Sequence, residues 1–258
     1  MQPVKNSSIE NVPALAAQLA DAGRAAGFRV ETYGEVEGCP LLALTRRTPG
    51  PRPRIYLSAG MHGDEPAPPL ALLELLRRGE FDQRATWFLC PLLNPAGLTR
   101  GTRENAGGLD LNRDYRRLKS AEIQAHAAWL RRQPNFDLTL CVHEDWESTG
   151  FYLYELNSHG RPTLADAIVA AVSRVFPIDL SPQIDGRDAH GGIIRPTGDP
   201  SLREDWPEAL YLRAHHSTLG YTLETASALP LDQRIDAHGV AIRTAIAGLL
   251  ANVRLDHT

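Results

Sequence analysis

The sequence has no long apolar segment, no block of lysine or arginine and only three cysteines. Without a run of about 18 or more apolar residues, a membrane-spanning helix is not expected. The formal net charge is -4 and no basic cluster is present, so the chain has no electrostatic footprint for nucleic acid or for an anionic membrane. We therefore expect a small or neutral partner rather than a nucleic acid or a membrane.

The three cysteines are Cys39, Cys90 and Cys141, and the last two lie in apolar, strand-like runs, where cysteine is commonly a small buried hydrophobe. An odd number used in this way favours a reducing compartment. Their spacing does not suit a set of zinc thiolates, so a metal site would need histidine and carboxylate ligands. Residues 1–23 lack a charged region followed by an apolar core, so we expect a cytoplasmic protein.

Short apolar runs alternate with helical patterns along the chain. The runs are 54–59, 86–93, 136–143 and 220–226, and the helical patterns include 66–78, 121–132, 162–175 and 231–250. This alternation predicts an α/β fold with a largely parallel or mixed sheet, in which ligands bind beyond the carboxyl ends of the strands. Residues 177–217 show no clear period and predict an irregular region over the sheet. The length and the 43% hydrophobic content fit a single domain over residues 1–258.

Polar side chains follow the ends of the predicted strands. His62 and Glu65 follow the first strand, His143 ends the third, and Glu224 lies near the end of the last. Two histidines and one glutamate are a standard ligand set for a catalytic zinc ion, with the fourth position left for water. A chance His-x-x-Glu is common in a chain with nine histidines, so the setting between strand and helix carries the argument. The sequence therefore favours a metal site at the strand ends.

Five short motifs occur in a familiar order: HGDE, NPAG, TRENAGGLDLNRDY, VH and TLET. In this order they resemble the zinc carboxypeptidase family, the funnelins, especially the compact bacterial members related to murein peptide amidases. The chain is more distantly similar to succinylglutamate desuccinylase and aspartoacylase. The resemblance covers about residues 54–226 and implies a three-layer α/β/α sandwich with a mixed sheet of about eight strands.

The resemblance implies a role for each residue that matches a motif. His62, Glu65 and His143 match the ligands of one zinc ion. Asp110 matches the carboxylate that orients a ligand histidine, and such partners fix the tautomer of the ring. Glu224 matches the general base, which takes a proton from the water activated by the metal.

Residues of the segment before His143 match the residues with which members of the family bind substrate. Asn112 and Arg113 match the pair that holds the terminal carboxylate, a task that suits the planar fork of arginine. Arg103 is expected to polarise the scissile carbonyl, with Arg100 as the alternative. The family also has a tyrosine on a loop before the general base, for which Tyr211 is the candidate. The competing tyrosines are Tyr152, Tyr154 and Tyr221.

Two features leave alternatives open. The acids Glu144, Asp145 and Glu147 could support the metal ligands, contact an amino group of the substrate, bind a second ion or lie solvated in a turn. The region that should form the specificity pocket, residues 184–217, contains charges of both signs, so it does not choose between a cationic and an anionic side chain. They include Asp185, Asp188, Arg195, Arg203 and Arg213.

The expected activity is hydrolysis of the C-terminal amide bond of a short peptide, such as a cell-wall peptide, by a zinc carboxypeptidase or amidase. The first alternative is a deacylase of N-acyl amino acids. In either case the expected partner is a peptide or amino-acid conjugate with a free carboxylate. The second alternative is a catalytically silent protein that binds peptide carboxylates. Loss of Glu224 or of a metal ligand would mark that protein, and all of these residues are present.

Overall fold

The computed structural model describes residue 9 and residues 11–196 and 202–255. The helices are α1 (Val12–Ala25), α2 (Ala67–Arg77), α3 (Pro95–Arg100), α4 (Ala121–Leu130), α5 (Ala165–Val172), α6 (Glu208–His215) and α7 (Leu231–Leu255). The strands are β1 (Arg29–Val36), β2 (Cys39–Arg46), β3 (Arg54–Ser58), β4 (Thr86–Cys90), β5 (Leu138–Asp145), β6 (Tyr152–Asn157), β7 (Gln183–Ile184), β8 (Arg187–His190), β9 (Ile193–Ile194) and β10 (Leu219–Ala226).

The strands form one mixed sheet in the order β1-β2-β4-β3-β5-β10-β6-β9-β8-β7. Its centre, β4-β3-β5-β10, is parallel, and β2 and β6 flank this centre in antiparallel pairing. The carboxyl ends of β3, β5 and β10 therefore meet at one edge. β3 and β5 are almost wholly buried, as the apolar runs in the sequence predict.

Helices cover both faces of the sheet. Helices α1, α2, α5 and α7 pack on one face, where Leu72 and Ile242 belong to the larger hydrophobic core. Helices α4 and α6 lie on the other face, where Ile123 and Leu212 belong to a second core. The predicted α/β/α sandwich with a mixed sheet is confirmed. Within the described ranges, no helix combines the length and the apolar character needed to cross a bilayer.

The sheet has ten strands rather than about eight. The additional strands lie in residues 177–217, which the sequence predicts to be irregular. That prediction was wrong for β7, β8 and β9 and for α6. β7 and β9 are two residues long, too short to show a period, and β9 is fixed by pairing with the distant β6.

Candidate metal centre and substrate cavity

Three ligand-type side chains come together at the carboxyl ends of β3 and β5. The Nδ1 atom of His62 lies 2.5 Å from Oε1 of Glu65, and Nδ1 of His143 lies 3.0 Å from Oε2 of the same carboxylate. All three residues are at most 3% exposed, and one ligand atom from each lies within 4.8 Å of the others. The predicted ligands therefore form one compact group, although His143 is 78 residues away from Glu65 in sequence.

The loop that carries His62 and Glu65 is held by the NPAG motif. A Cβ atom on Gly63 would lie 1.8 Å from the carbonyl carbon of Gly97, so only glycine fits at this crossing. The side-chain oxygen of Asn94 accepts the N–H of Gly97 at 2.9 Å, and its side-chain nitrogen donates to the carbonyl of Met61 at 3.3 Å. The NPAG motif thus holds the backbone of the loop that carries His62 and Glu65.

Asp110 and Arg103 contact the outer side of the ligand group. Nε2 of His62 lies 3.2 Å from Oδ1 of Asp110, and when this N–H donates to the carboxylate, the lone pair of Nδ1 is directed toward Glu65. Nε of Arg103 donates to Oδ2 of Asp110 at 3.0 Å, and its Nη1 lies 3.3 Å from His62 Nδ1. The alternative residue, Arg100, pairs instead with Glu37 at the surface at 2.8 Å.

The electrostatics of this group favour positive charge at its centre. Burial alone would raise the pKa of Glu65, but His62 and His143 hold that pKa well below its usual range. Burial alone would lower the pKa of His62, but Glu65 and Asp110 raise it to about 9. A buried carboxylate between two imidazoles is stabilised by a shared cation, either a proton or a metal ion.

A cavity of about 300 Å³ opens beside the ligand group. It is lined by the three ligands and also by Arg103, Asn112, Arg113 and Glu224. Glu224 lies on β10 directly beside His143 of β5 in the parallel register. Burial raises the pKa of Glu224 well above its usual range, although His143 opposes the shift. A carboxyl group with a raised pKa in such a cavity suits proton transfer.

Asn112 and Arg113 lie in a short 3₁₀ helix, residues Leu111–Arg113. The side-chain oxygen of Asn112 accepts the backbone N–H of Glu208 at 2.9 Å, which leaves its amide nitrogen as the group able to donate to a ligand. Arg113 is exposed, and its Nη1 donates to the backbone carbonyl of Asn112 at 2.8 Å. Both residues present N–H donors to the cavity, the arrangement that a carboxylate requires.

Tyr211 does not line the cavity. Its ring is 5% exposed and packs 5.5 Å from the ring of Tyr115 in the second hydrophobic core. Tyr152 and Tyr154 line the cavity instead, with hydroxyls that donate to Asp145 and Asp185. The prediction that Tyr211 contacts substrate is therefore corrected. Residues 210–212 are all buried, so the sequence does not show which side of α6 faces the cavity.

The acids after His143 have different surroundings. Glu144 is buried and accepts hydrogen bonds from the backbone N–H of Ala67 at 2.9 Å and from Arg234, so it ties the start of α2 to α7. Asp145 and Glu147 lie at the cavity with Trp146, which is 65% exposed. Among the residues with described positions, no second group of three potential ligands approaches a metal-binding arrangement.

Sequence reasoning missed two residues of this region. Glu208 is fully buried at the start of α6, where its backbone N–H orients Asn112. Arg234 is 2% exposed and contacts Glu144. The buried positions of these charges depend on contacts with distant segments, so a single sequence carried no signal for either residue.

Several solved structures share this fold. A candidate metallopeptidase from Shewanella amazonensis is 27% identical, with a TM-score of 0.82 over 93% of this chain and 94% of its own. A metallo-carboxypeptidase from Burkholderia cenocepacia is 19% identical, with a TM-score of 0.67 over 90% of this chain and 67% of its own. One from Pseudomonas aeruginosa, in complex with (2-guanidinoethylmercapto)succinic acid, is 20% identical, with a TM-score of 0.64 over 91% of this chain and 68% of its own.

A search among curated proteins found no match. The family model of the succinylglutamate desuccinylase/aspartoacylase catalytic domain matches residues 51–246. This range contains the three ligand residues, Asp110, Asn112, Arg113 and Glu224. The expected likeness to carboxypeptidases is thus confirmed in the fold, while the sequence matches the family that was expected as the more distant relative. The chain belongs to the succinylglutamate desuccinylase/aspartoacylase catalytic-domain family.

Proposed function

We propose that the protein is a zinc-dependent hydrolase that cleaves the C-terminal amide bond of a short peptide, such as a cell-wall peptide, and releases the terminal amino acid. Its membership of a metallopeptidase-like hydrolase superfamily is supported by the family match and by the named relatives. The main observation behind the proposal is the set of residues that line one cavity. Metal-ligand side chains, the carboxyl of Glu224 and the donors of Asn112 and Arg113 all line it.

The donor set fits zinc. Two imidazole nitrogens and one carboxylate, all buried, are a common protein ligand set for a catalytic zinc ion, and Asp110 orients one of the imidazoles. A zinc ion held by His62, Glu65 and His143 would supply a Lewis acid for the carbonyl group and lower the pKa of a water molecule.

The remaining steps belong to side chains of the protein. Asn112 and Arg113 hold the free carboxylate of the terminal residue and so position the preceding amide bond. Glu224 takes a proton from the attacking water and passes it to the leaving nitrogen. Arg103, which is held beside His62 by Asp110, donates to the carbonyl oxygen as negative charge develops there.

A second candidate is a deacylase of N-acyl amino acids, which the family match favours. The same donors would hold the carboxylate of the amino acid, and the acyl group would take the place of the peptide. The silent binding protein is the weaker alternative, because the ligand group and Glu224 are present and face one cavity.

Mass spectrometry of products tests the proposal. Zinc-loaded protein and a Glu224→Gln control are incubated with peptides that have a free carboxylate, murein tripeptide and N-acyl amino acids. We expect the wild type alone to release a terminal amino acid or diaminopimelate. Release of acetate or succinate alone would assign the protein to the deacylases. No product from zinc-bound wild type would contradict both hydrolytic proposals.

We also propose a cytoplasmic location and one catalytic domain. All three cysteines are buried and unpaired, which suits a reducing compartment.

A further inference from the structure

A region rich in arginine lies at the opposite edge of the sheet from the metal group. The strands β3, β4 and β5 are parallel, so they all begin at this edge. The end of β2 reaches the same edge, because Arg46 pairs with Trp87 near the start of β4. The start of β1 follows, because Arg29 pairs with Thr45. The length of β3, about 16 Å at about 3.3 Å per residue, separates this edge from the loop of the metal ligands.

Two adjacent cavities form one groove along this edge, which we call the arginine groove. Their volumes are about 830 and 480 Å³, and they share Arg47, Arg132 and Gln133. Six arginines and two acids line the groove, an excess of four positive charges in a chain whose net charge is -4. The fold brings these arginines together from the start of β1, from residues 46–54 and from the end of α4. They are Arg29, Arg46, Arg47, Arg52, Arg54 and Arg132.

Both acids of the groove are engaged within the protein. Oδ2 of Asp137 accepts the backbone N–H of Arg54 at 2.8 Å. Glu31 forms an ion pair with Arg132 at 3.2 Å and lies 3.9 Å from a guanidinium nitrogen of Arg29. The acids therefore serve one end of the groove and the backbone at the start of β3, and the remaining arginines keep their charge for a ligand.

Arg47 and Arg52 are the arginines of the groove that lack a partner. Both are exposed, and within the described ranges no side-chain hydrogen bond or ion pair joins either to another residue. The turn at residues 48–53, which carries Arg52, contains three prolines, and proline fixes the backbone angle φ. The hydroxyl of Thr48 also donates to the carbonyl of Ala85 at 2.9 Å. This restrained backbone lowers the entropy that is lost when a ligand binds.

We propose that the arginine groove binds a small ligand with two or more phosphate groups. A guanidinium group binds phosphate through two parallel N–H···O bonds, and such charge-assisted pairs are stronger than neutral ones. Because Arg47 and Arg52 both lack a partner, they match a ligand with more than one anionic group. The larger cavity has the volume of a small-molecule site, for which about 300–1,000 Å³ is usual. The inference goes beyond the proposed function and does not depend on it.

A nucleic acid fits the groove less well. The chain has a net charge of -4 although the groove is positive, so the surface beyond the groove carries an excess of negative charge. That surface would repel a long polyanion. Apolar side chains also interrupt the charge of the groove, among them Pro51, Phe88 and Pro134. A short phosphate ligand stays within the groove and avoids this repulsion.

Calorimetry with inorganic tripolyphosphate tests the inference on the zinc-loaded protein. We expect the wild type to bind, and the affinity to fall as salt screens the charges. Arg47→Gln and Arg52→Gln should each weaken binding by about 10- to 100-fold, the usual effect of losing a hydrogen bond to a charged group. Arg174→Gln, which removes an exposed arginine just after α5, is the matched control and should bind as the wild type does. No binding by the wild type, or unchanged affinity in either groove variant, would overturn the inference.

Two further titrations separate the groove from other sites and ligands. Tripolyphosphate also chelates metal ions, so the first is repeated after zinc has been removed. Binding that persists supports the groove, and binding that disappears with the metal would assign the anion to the metal centre. The second uses a single-stranded DNA oligonucleotide. Weaker binding than that of tripolyphosphate supports a small ligand, and tighter binding would contradict the proposal in favour of a nucleic acid.

Discussion

Glu224 lies beside His143 on the neighbouring strand, in a position where burial raises the pKa of its carboxyl group. Glu224→Gln keeps the size of the side chain and removes its ability to take a proton. We expect kcat to fall by about two to four orders of magnitude, the usual loss when a general acid-base group is removed. Zinc content should stay unchanged, because Glu224 is not one of the grouped ligands. Steady-state kinetics with metal analysis checks both values, and near-normal turnover would remove Glu224 from the mechanism.

Asp110 contacts Nε2 of His62, and we propose that it acts on a bound metal through this ring. Asp110→Asn replaces a charged acceptor of the His62 N–H with a weaker one, and it also weakens the contact with Arg103. Loss of such a partner typically costs about 10- to 100-fold in metal affinity, and we expect a loss of this size. Competition with a chelator measures it. Asp188→Asn, the same change at an exposed position on β8, is the control. Equal zinc affinities in the two variants would contradict the orienting role.

For single residues, the sequence motifs predicted the position well where the local loop or strand fixes it. His62 and Glu65 share one loop after β3, and His143 lies near the end of the buried strand β5, so parallel pairing of β3 and β5 brings them together. Tyr211 was misplaced because the direction of a helical side chain depends on the rotation of the whole helix. That rotation is set by packing against distant elements, which motif order does not contain.

The start of α6 is anchored by a buried carboxylate. Oε1 of Glu208 accepts the hydroxyl of Tyr56 at 2.6 Å, and Oε2 accepts the hydroxyl of Ser58 at 2.7 Å. Burial raises the pKa of Glu208, and these two donors oppose the shift. The same residue donates its backbone N–H to Asn112. One anchor therefore fixes α6 on β3 and orients a predicted substrate donor.

Removal of this anchor should destabilise the protein. Glu208→Ala removes the acceptor of two buried hydroxyls, each at a cost of about 1–3 kcal/mol, so we expect a loss of about 2–6 kcal/mol in the free energy of unfolding. Urea denaturation measures it. Glu204→Ala, at a side chain that is 88% exposed, should change stability by less than about 0.5 kcal/mol. Similar midpoints for the two variants would show that the buried network contributes little.

The elements differ in how well sequence predicted them. β4 begins at Thr86, as predicted, α2 lies within the predicted helix, and β10 begins one residue before the predicted strand. Short apolar runs and prolines set these elements locally. The short strands β7–β9 were missed, since their formation depends on the edge that β6 offers.

Across the whole molecule, the ligand group joins segments that are far apart in sequence. The loop after β3 supplies His62 and Glu65, β5 supplies His143, and Asp110 supports the group from a third segment. An unfolded chain does not hold these side chains together. A metal ion that binds the group therefore binds the folded state and stabilises it by mass action.

Zinc should consequently raise the melting temperature of the protein. At a free zinc concentration of about 1,000 times Kd the folded state gains about 4 kcal/mol. For a chain of this size each kcal/mol corresponds to about 2–4 °C, so we expect an increase of about 10 °C relative to protein treated with a chelator. Differential scanning calorimetry measures the shift. In His62→Ala one ligand is missing and the shift should largely disappear. A shift of equal size in this variant would mean that the stabilising ion binds elsewhere, because the group cannot keep its affinity without the imidazole that Asp110 orients.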